Sequence, residues 1–377
     1  MNSTTELFRA LELAHYAQRF RSKRFVIALP QEHLFHDLLL DLKVLGGYGI
    51  QVVLVVPDAD FQLDRHIRTS NKRGTRFHLS LLTDVLVSSA ASLEGLDFGR
   101  LARRLDEGRT PVIAHHLPET AAGTVDPTFT LAGEVAAHLG ADKLFLVTPL
   151  QDILRQLAGR SHLLPEDLPA LRTALEAAES PDLAALLPFI EAQLARGTPD
   201  VIVLGATPGL LFREVFTHEG AGVLFNRTRA SRIRQADIAD VTDVALLLRP
   251  EMATGRILPI DENTIERNIR HYWVYEIDGL LVCSACLKLY GDAAELAQFA
   301  ALPRYRGKGR ARELALRLID YARGLSCRRV FALSLDERMW DFFTGLGFRE
   351  TAREDLPAAW RAGYDLSRPS RAFLKEL

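Results

Sequence analysis

Apolar residues in the first half of the chain fall into short runs separated by longer amphipathic stretches. Phe25-Val-Ile-Ala-Leu reads as a short buried strand. From His33 to Leu45 the apolar positions recur at helical spacing and stop at Gly46-Gly47. Gln51-Val-Val-Leu-Val-Val, ended by Pro57, predicts a second buried strand; Pro111-Val-Ile-Ala, Lys143-Leu-Phe-Leu-Val and Asp200-Val-Ile-Val-Leu predict others. Strands that are apolar almost throughout and alternate with helices belong to a parallel sheet covered on both faces. The Ala/Leu/Pro-rich stretch 164–198 reads as helices on that sheet, and no internal repeat or low-complexity tract interrupts the pattern.

Near residues 226–232 the pattern changes: Asn226-Arg-Thr-Arg-Ala-Ser is polar and charged and leads into a new strand, Ser231-Arg-Ile-Arg. Helices are expected over Asp237–Leu248 and Asn263–Ile269, then paired strands Trp273–Ile277 and Leu280–Leu289 joined by Asp278-Gly279, a strong hairpin signal. An apolar strand carrying one carboxylate, Glu295, follows and runs into a glycine-containing loop and a helix, Arg312–Arg323, with Leu314, Leu318 and Tyr321 on one face. Strand Arg329–Leu335, helix Met339–Gly345 and a last strand near Ala372 complete the expected order. The expected fold class is α/β in two domains, 1–226 and 228–377.

The loop, Arg306-Gly307-Lys308-Gly309-Arg310-Ala311, carries the most specific chemistry. Two glycines let backbone N–H groups turn toward one point, and the helix N-terminus adds positive potential there. Such a nest suits phosphate, and Arg306, Lys308 and Arg310 would add charge around its oxygens. The chain has neither Gly-x-Gly-x-x-Gly after a strand nor Gly-x-x-x-x-Gly-Lys-Ser/Thr.

Composition narrows the partners. A length of 377 residues implies about two to three domains. A formal charge of −2 supplies no basic field for nucleic acid or anionic membranes. No run of about 18 apolar residues suggests a membrane span, and the N-terminus lacks the basic start and apolar core of a secretory signal, so a cytoplasmic location is expected. Cys283, Cys286 and Cys327 fit a reducing compartment. Cys283-Ser-Ala-Cys286 lies in a strand pattern with no second ligand pair, so it reads as core and no metal is expected. His115-His116 likewise lacks metal partners, and the arginine-rich stretch 65–76 reads as a solvated loop.

The strand, Arg-x-x-Gly-x-Ala loop and helix resemble the pyrophosphate-binding element of GNAT acetyltransferases, and the element order after residue 230 is similar over about 150 residues. The resemblance implies acetyl-coenzyme A as co-substrate, with its pantetheine arm paired to Phe299, Ala300 and Ala301 and its phosphates on Arg306, Gly307, Lys308, Gly309, Arg310 and Ala311. Acetyl transfer needs a neutral amine and a proton for the departing thiolate. Glu295 is the candidate base, and Ser334, in Phe331-Ala-Leu-Ser-Leu, the candidate acid.

More closely, the chain resembles the bacterial N-acetylglutamate synthases, which join an amino-acid-kinase-like domain to a GNAT domain and open arginine biosynthesis. The likeness rests on Phe61-Gln-Leu-Asp-Arg-His, Leu139-Gly-Ala-Asp-Lys-Leu, Val215-Phe-Thr-His-Glu-Gly, Leu248-Arg-Pro-Glu, Ala294-Glu-Leu-Ala, Phe331-Ala-Leu-Ser, Asp355-Leu-Pro and Arg368-Pro-Ser-Arg-Ala-Phe-Leu. It implies direct transfer to the α-amine of L-glutamate, a homo-oligomer, and arginine as effector, with Arg368 binding a substrate carboxylate. Departures bear on each point. Ala28-Leu-Pro-Gln-Glu stands where a kinase would place its phosphate loop, and Ile260 stands where the family places an arginine for the substrate, leaving Arg256 or Lys288 as substitutes. Two alternatives follow: an acetyltransferase of this fold acting on another amino acid or amine, and a non-catalytic sensor of acetyl-coenzyme A and an amino acid.

Overall fold

The computed structural model describes residues 3–57, 78–82, 96–115, 117, 121, 123–217, 220–227, 231–277, 280–307 and 309–377. Lys308, Asp278-Gly279, His116 and the arginine-rich stretch 65–76 lie outside them. The chain forms two compact units, Met1–Thr228 and Arg229–Leu377.

The first unit is built on strands β1 (Arg24–Ala28), β2 (Gln51–Pro57), β3 (His78–Leu82), β4 (Arg109–His115), β5 (Lys143–Val147), β6 (His162–Leu163), β7 (Asp200–Leu204) and β8 (Val223–Asn226), in the order β3-β4-β2-β1-β5-β7-β8-β6. Both faces are covered, which explains the unbroken apolar runs. In β2, Val53 and Val55 enter a core with helices Pro127–Leu139 and Pro181–Ala195, while Val52, Leu54 and Val56 enter another with helices Glu32–Gly47 and Leu210–Phe216. The sheet departs from the expected all-parallel pattern at one edge, where β8 runs antiparallel to β7. Helix Leu210–Phe216 is only two turns long, and a turn at Gly222, pressed against β7, sends the chain straight back along it. Helix Ser3–Phe20 and strands β3, β6 and β8 were not evident from the pattern.

The second unit is a seven-stranded sheet of β9 (Ser231–Gln235), β10 (Tyr272–Ile277), β11 (Leu280–Tyr290), β12 (Ala293–Ala301), β13 (Arg329–Ser334), β14 (Arg349–Thr351) and β15 (Arg371–Glu376), ordered β14-β15-β13-β12-β11-β10-β9. Helix Val241–Ala253 packs on β11 and β12, and helix Arg310–Gly324 packs on β10, β11 and β12. Strand β14 and the short helix Ala358–Arg361 escape the sequence pattern; the three residues of β14, Arg-Glu-Thr, have no apolar alternation to reveal them.

The feature that matters for function lies between β12 and β13. They pair in parallel only over Ala293–Glu295 and Arg329–Phe331. Beyond that point β12 stays with β11 as far as Ala301, whereas β13 stays with β15 as far as Ser334. A bulge drives them apart. Between Ser284 and Cys286 the register slips by one, so Ala285 faces two residues of β12, and Gln298 there has φ +56°. An extra residue of this kind bends its strand and steepens the twist.

Two stability outcomes follow. A Cβ on Gly222 would sit 2.7 Å from the Val203 carbonyl oxygen and from Ile202 Cγ2, whereas one on Gly47 meets nothing within 4 Å. Gly222→Ala therefore costs about 1–3 kcal/mol in urea unfolding and Gly47→Ala leaves stability near wild type. In the second unit, burial is the largest influence on Asp240 and opposes its ionisation, but the two-pronged bond from Arg234, the Asp237 N–H and the charges of Arg234 and Arg232 together outweigh it and bring the carboxyl below its usual range. The unfolded chain then binds the proton more readily, so this contribution is present above about pH 4 and fades as pH falls through the lower folded value. The stability gap between wild type and Asp240→Asn is widest at neutral pH and narrows below about pH 4.

Candidate active site

A cavity of about 500 Å³ occupies the fork between β12 and β13. Leu296 to Ala301 line one arm, Leu333 and Ser334 the other, and Gly307, Gly309, Arg310 and Ala311 the mouth. The backbone edge of β12 facing the gap has no strand partner beyond Glu295, so it can pair with an extended, amide-bearing ligand. Gly307 and Gly309 adopt φ +75° and +77°, and Gly309 begins helix Arg310–Gly324 with no side chain capping it. Open backbone donors and the positive helix end thus meet at the mouth of an otherwise mostly apolar fork.

The side chains of the loop are arranged differently from the expectation. Arg306 donates to the Ala301 carbonyl at 3.0 Å and to Glu251 Oε1 at 2.8 Å. Arg310 is buried, folds over the Tyr305 ring and donates to the Tyr305 carbonyl at 3.1 Å. Both guanidinium groups bond to the protein beside the nest, where backbone N–H groups and the helix end supply donors.

Glu295 sits at the vertex of the fork, the last residue of β12 paired to β13. It is buried, and its Oε2 lies 3.4 Å from the Tyr290 hydroxyl and 3.5 Å from Lys288 Nζ, its direct cross-strand neighbour. Burial first, then the Glu295 carboxylate, push the Tyr290 phenol up to about 12, so it remains a donor. Ser334 lies three residues past Phe331, the partner of Glu295, or about 10 Å along the strand. Its Oγ accepts from the Asp336 N–H at 3.0 Å. The same hydroxyl donates to the Asp336 carbonyl at 3.5 Å, a long bond that it can exchange for a partner in the cavity.

The expected substrate cations are dispersed. Arg256 lines the cavity and meets Glu251 at 2.6 Å and Asp336 at 3.4 Å, carboxylates it shares with Arg306 and Arg338. Lys288 is the neighbour of Glu295, and both lie just outside the cavity lining, which begins at Leu296 on β12. Arg368 reaches the Gly255 carbonyl at 2.9 Å, on the loop that carries Arg256. Ile260 packs against the core. Arg338 and Asp336 pair at 2.9 Å, and this bond, first of all, holds the Asp336 carboxyl below its usual range.

Several site residues had no clear mark in the sequence. Glu251 follows Pro250 at the end of helix Val241–Ala253, and proline inside a helix was the available signal. Gln298 is visible only through its backbone angle; its Oε1 accepts from the Tyr272 hydroxyl at 2.5 Å, a phenol that burial and nearby Cys286 push up. Cys283 and Cys286, three apart in β11, point to opposite faces, and burial pushes both thiols up to about 12. They are core residues. His115 is buried against Thr128, 3.0 Å away. Among the described residues no cluster of His, Cys, Asp or Glu is placed to hold a metal ion.

Comparison with known proteins agrees with this geometry. Residues 243–348 match the acetyltransferase (GNAT) family. The amino-acid acetyltransferase of Azotobacter vinelandii is 33% identical over 430 residues, spanning 96% of this chain and 97% of that one. That of Ectopseudomonas mendocina is 27% identical over 431 residues with the same coverage. A crystal structure of N-acetylglutamate synthase from Neisseria gonorrhoeae, complexed with coenzyme A and L-arginine, superposes with TM-score 0.56 at 22% identity over 97% of this chain and 98% of that one. The two-part fold, including a kinase-like first half, is therefore shared along the length of the chain.

Proposed function

The chain belongs to the amino-acid acetyltransferase family, and from that premise we propose that it moves an acetyl group from acetyl-coenzyme A to the α-amine of an amino acid, L-glutamate first among the acceptors. One observation carries the reading: the fork opens immediately after a buried carboxylate, Glu295, and its mouth is a glycine-opened helix N-terminus.

The steps follow from the residues around it. Residues Leu296 to Ala301 offer a free strand edge to the amides of the pantetheine arm, and the first turn of helix Arg310–Gly324 meets the pyrophosphate. This pins the thioester at the narrow end. Glu295 accepts a proton from the incoming ammonium, and the freed amine attacks the thioester carbonyl. The new N–C bond forms, the C–S bond breaks, and the Ser334 hydroxyl gives its proton to the departing thiolate while the proton shed by the attacking nitrogen, which becomes the neutral amide, restores it. Lys288 and Tyr290 orient Glu295 throughout. Arg368, half-buried beside the Gly255 loop, is assigned to the acceptor α-carboxylate.

A second reading has one observation in its favour. Ile260 is apolar and packed, which suits an acceptor with an uncharged side chain. An unmatched buried carboxylate on the ligand would cost about 1–3 kcal/mol.

Thiol release from acetyl-coenzyme A with the twenty amino acids, with and without arginine, separates these readings. Turnover on glutamate supports the first, and turnover only on neutral amino acids replaces it with the second. Glu295→Gln is expected to lower kcat by about 10²–10⁴ while coenzyme A affinity stays near wild type. Ser334→Ala is expected to lower kcat by about tenfold or more. Full activity of Glu295→Gln would remove the carboxylate from the mechanism.

A further inference from the structure

Glu251 belongs to neither β-arm of the fork, yet it is buried and lines the cavity between them. Its two oxygens are taken by two different guanidinium groups. Oε1 accepts from Arg306 at 2.8 Å, and Arg306 also holds the Ala301 carbonyl at the end of β12. Oε2 accepts from Arg256 at 2.6 Å, and Arg256 reaches Asp336 at 3.4 Å. The N–H of Asp336 in turn donates to Ser334 Oγ at 3.0 Å. An unbroken chain of polar contacts therefore crosses the fork from Ala301 to Ser334, and Glu251 is its midpoint. The backbone around it is held as well: the Glu251 carbonyl accepts from the N–H groups of Arg256 and Ile257 at 3.0 and 3.2 Å, made possible by Gly255 at φ +72°.

We propose that Glu251 is a positioning residue that sets the glycine loop and the Ser334 turn relative to each other through Arg306 and Arg256. The inference rests on the acetyl-transfer reading for its catalytic half and on coenzyme binding alone for the other half. Charge-assisted bonds of this length are directional, and a single carboxylate shared by two guanidinium groups fixes the distance between them. Arg306 carries the effect to the loop that meets the pyrophosphate. Arg256 carries it to the turn that presents the Ser334 hydroxyl to sulfur.

The test uses the full chain. Coenzyme A dissociation constants come from titration calorimetry, acetyl-coenzyme A KM and kcat from thiol release, and folding from thermal melts, for Glu251→Gln, Arg306→Lys and Arg256→Lys. Glu251→Gln is expected to raise Kd and KM and to lower kcat, each about tenfold, with a cooperative melt retained. The larger effect of Arg306→Lys falls on Kd and KM, and the larger effect of Arg256→Lys falls on kcat. A folded Glu251→Gln enzyme with Kd and kcat within twofold of wild type overturns the proposal. Equal effects of the two arginine variants on KM and kcat also overturn it, since a merely stabilising cluster would not divide binding from turnover. Should Glu251→Gln fail to fold, the two arginine variants, whose side chains are 40% and 30% exposed, decide the matter by the same split. Wild type that binds coenzyme A without releasing thiol would refute the acetyl-transfer reading; the Kd of Glu251→Gln and Arg306→Lys would still test this one, and unchanged values would end it. Absence of coenzyme binding by the wild type overturns both.

Discussion

Backbone N–H and C=O groups inside a protein must be paired, and the second unit leaves a row of them without a strand neighbour on purpose. Its sheet continues unbroken through β11 on one side and β15 on the other, but β12 and β13 separate after Glu295. The bulge at Gln298 sustains that separation, holding a non-glycine residue in left-handed backbone geometry. Everything else in the site is arranged around the resulting gap. The apolar walls keep water out of it, the helix end closes its mouth with donors, and the vertex places one buried carboxylate where the two strands last touch.

The same constraint explains why so many charged residues surround a cavity that is largely apolar. A fork has no ladder of hydrogen bonds to keep its arms at a constant spacing, so side chains must do it. Arg306 ties the end of β12 to helix Val241–Ala253, and Arg256 ties that helix to the turn after β13. Such arginines contribute position first. Each meets a carboxylate of the protein, Arg306 at Glu251 and Arg256 at Glu251 and Asp336.

How much of this was legible in the sequence divides along physical lines. Strands β1, β2, β5 and β7 announce themselves because burial on both faces demands uninterrupted Val, Ile and Leu. The glycine loop was readable because left-handed backbone at Gly307 and Gly309 has few alternatives to glycine. By contrast, the antiparallel β8 depends on a turn pressed against β7, and β14 is three polar residues long, so neither leaves a periodic trace. The ion-pair chain was illegible for a related reason. Arg256, Arg306 and Asp336 look like solvated charges until the fold brings residues 80 and 55 positions apart within bonding distance. Which way an arginine points is a tertiary property.

Two glutamates close to one fork invite the question of which does the chemistry, and their surroundings separate them. Glu251 accepts from guanidinium groups at 2.6 and 2.8 Å, one on each oxygen, so its geometry is already satisfied by the protein. The nearest donors to Glu295 stand at 3.4 and 3.5 Å, long for hydrogen bonds, and both fall on the same oxygen, Oε2. A carboxylate held firmly by two arginines makes a good strut, and one held loosely at a strand vertex makes a good base. The positions of the two residues, one on a helix end bridging loops and the other where the sheet begins to open, match these separate roles.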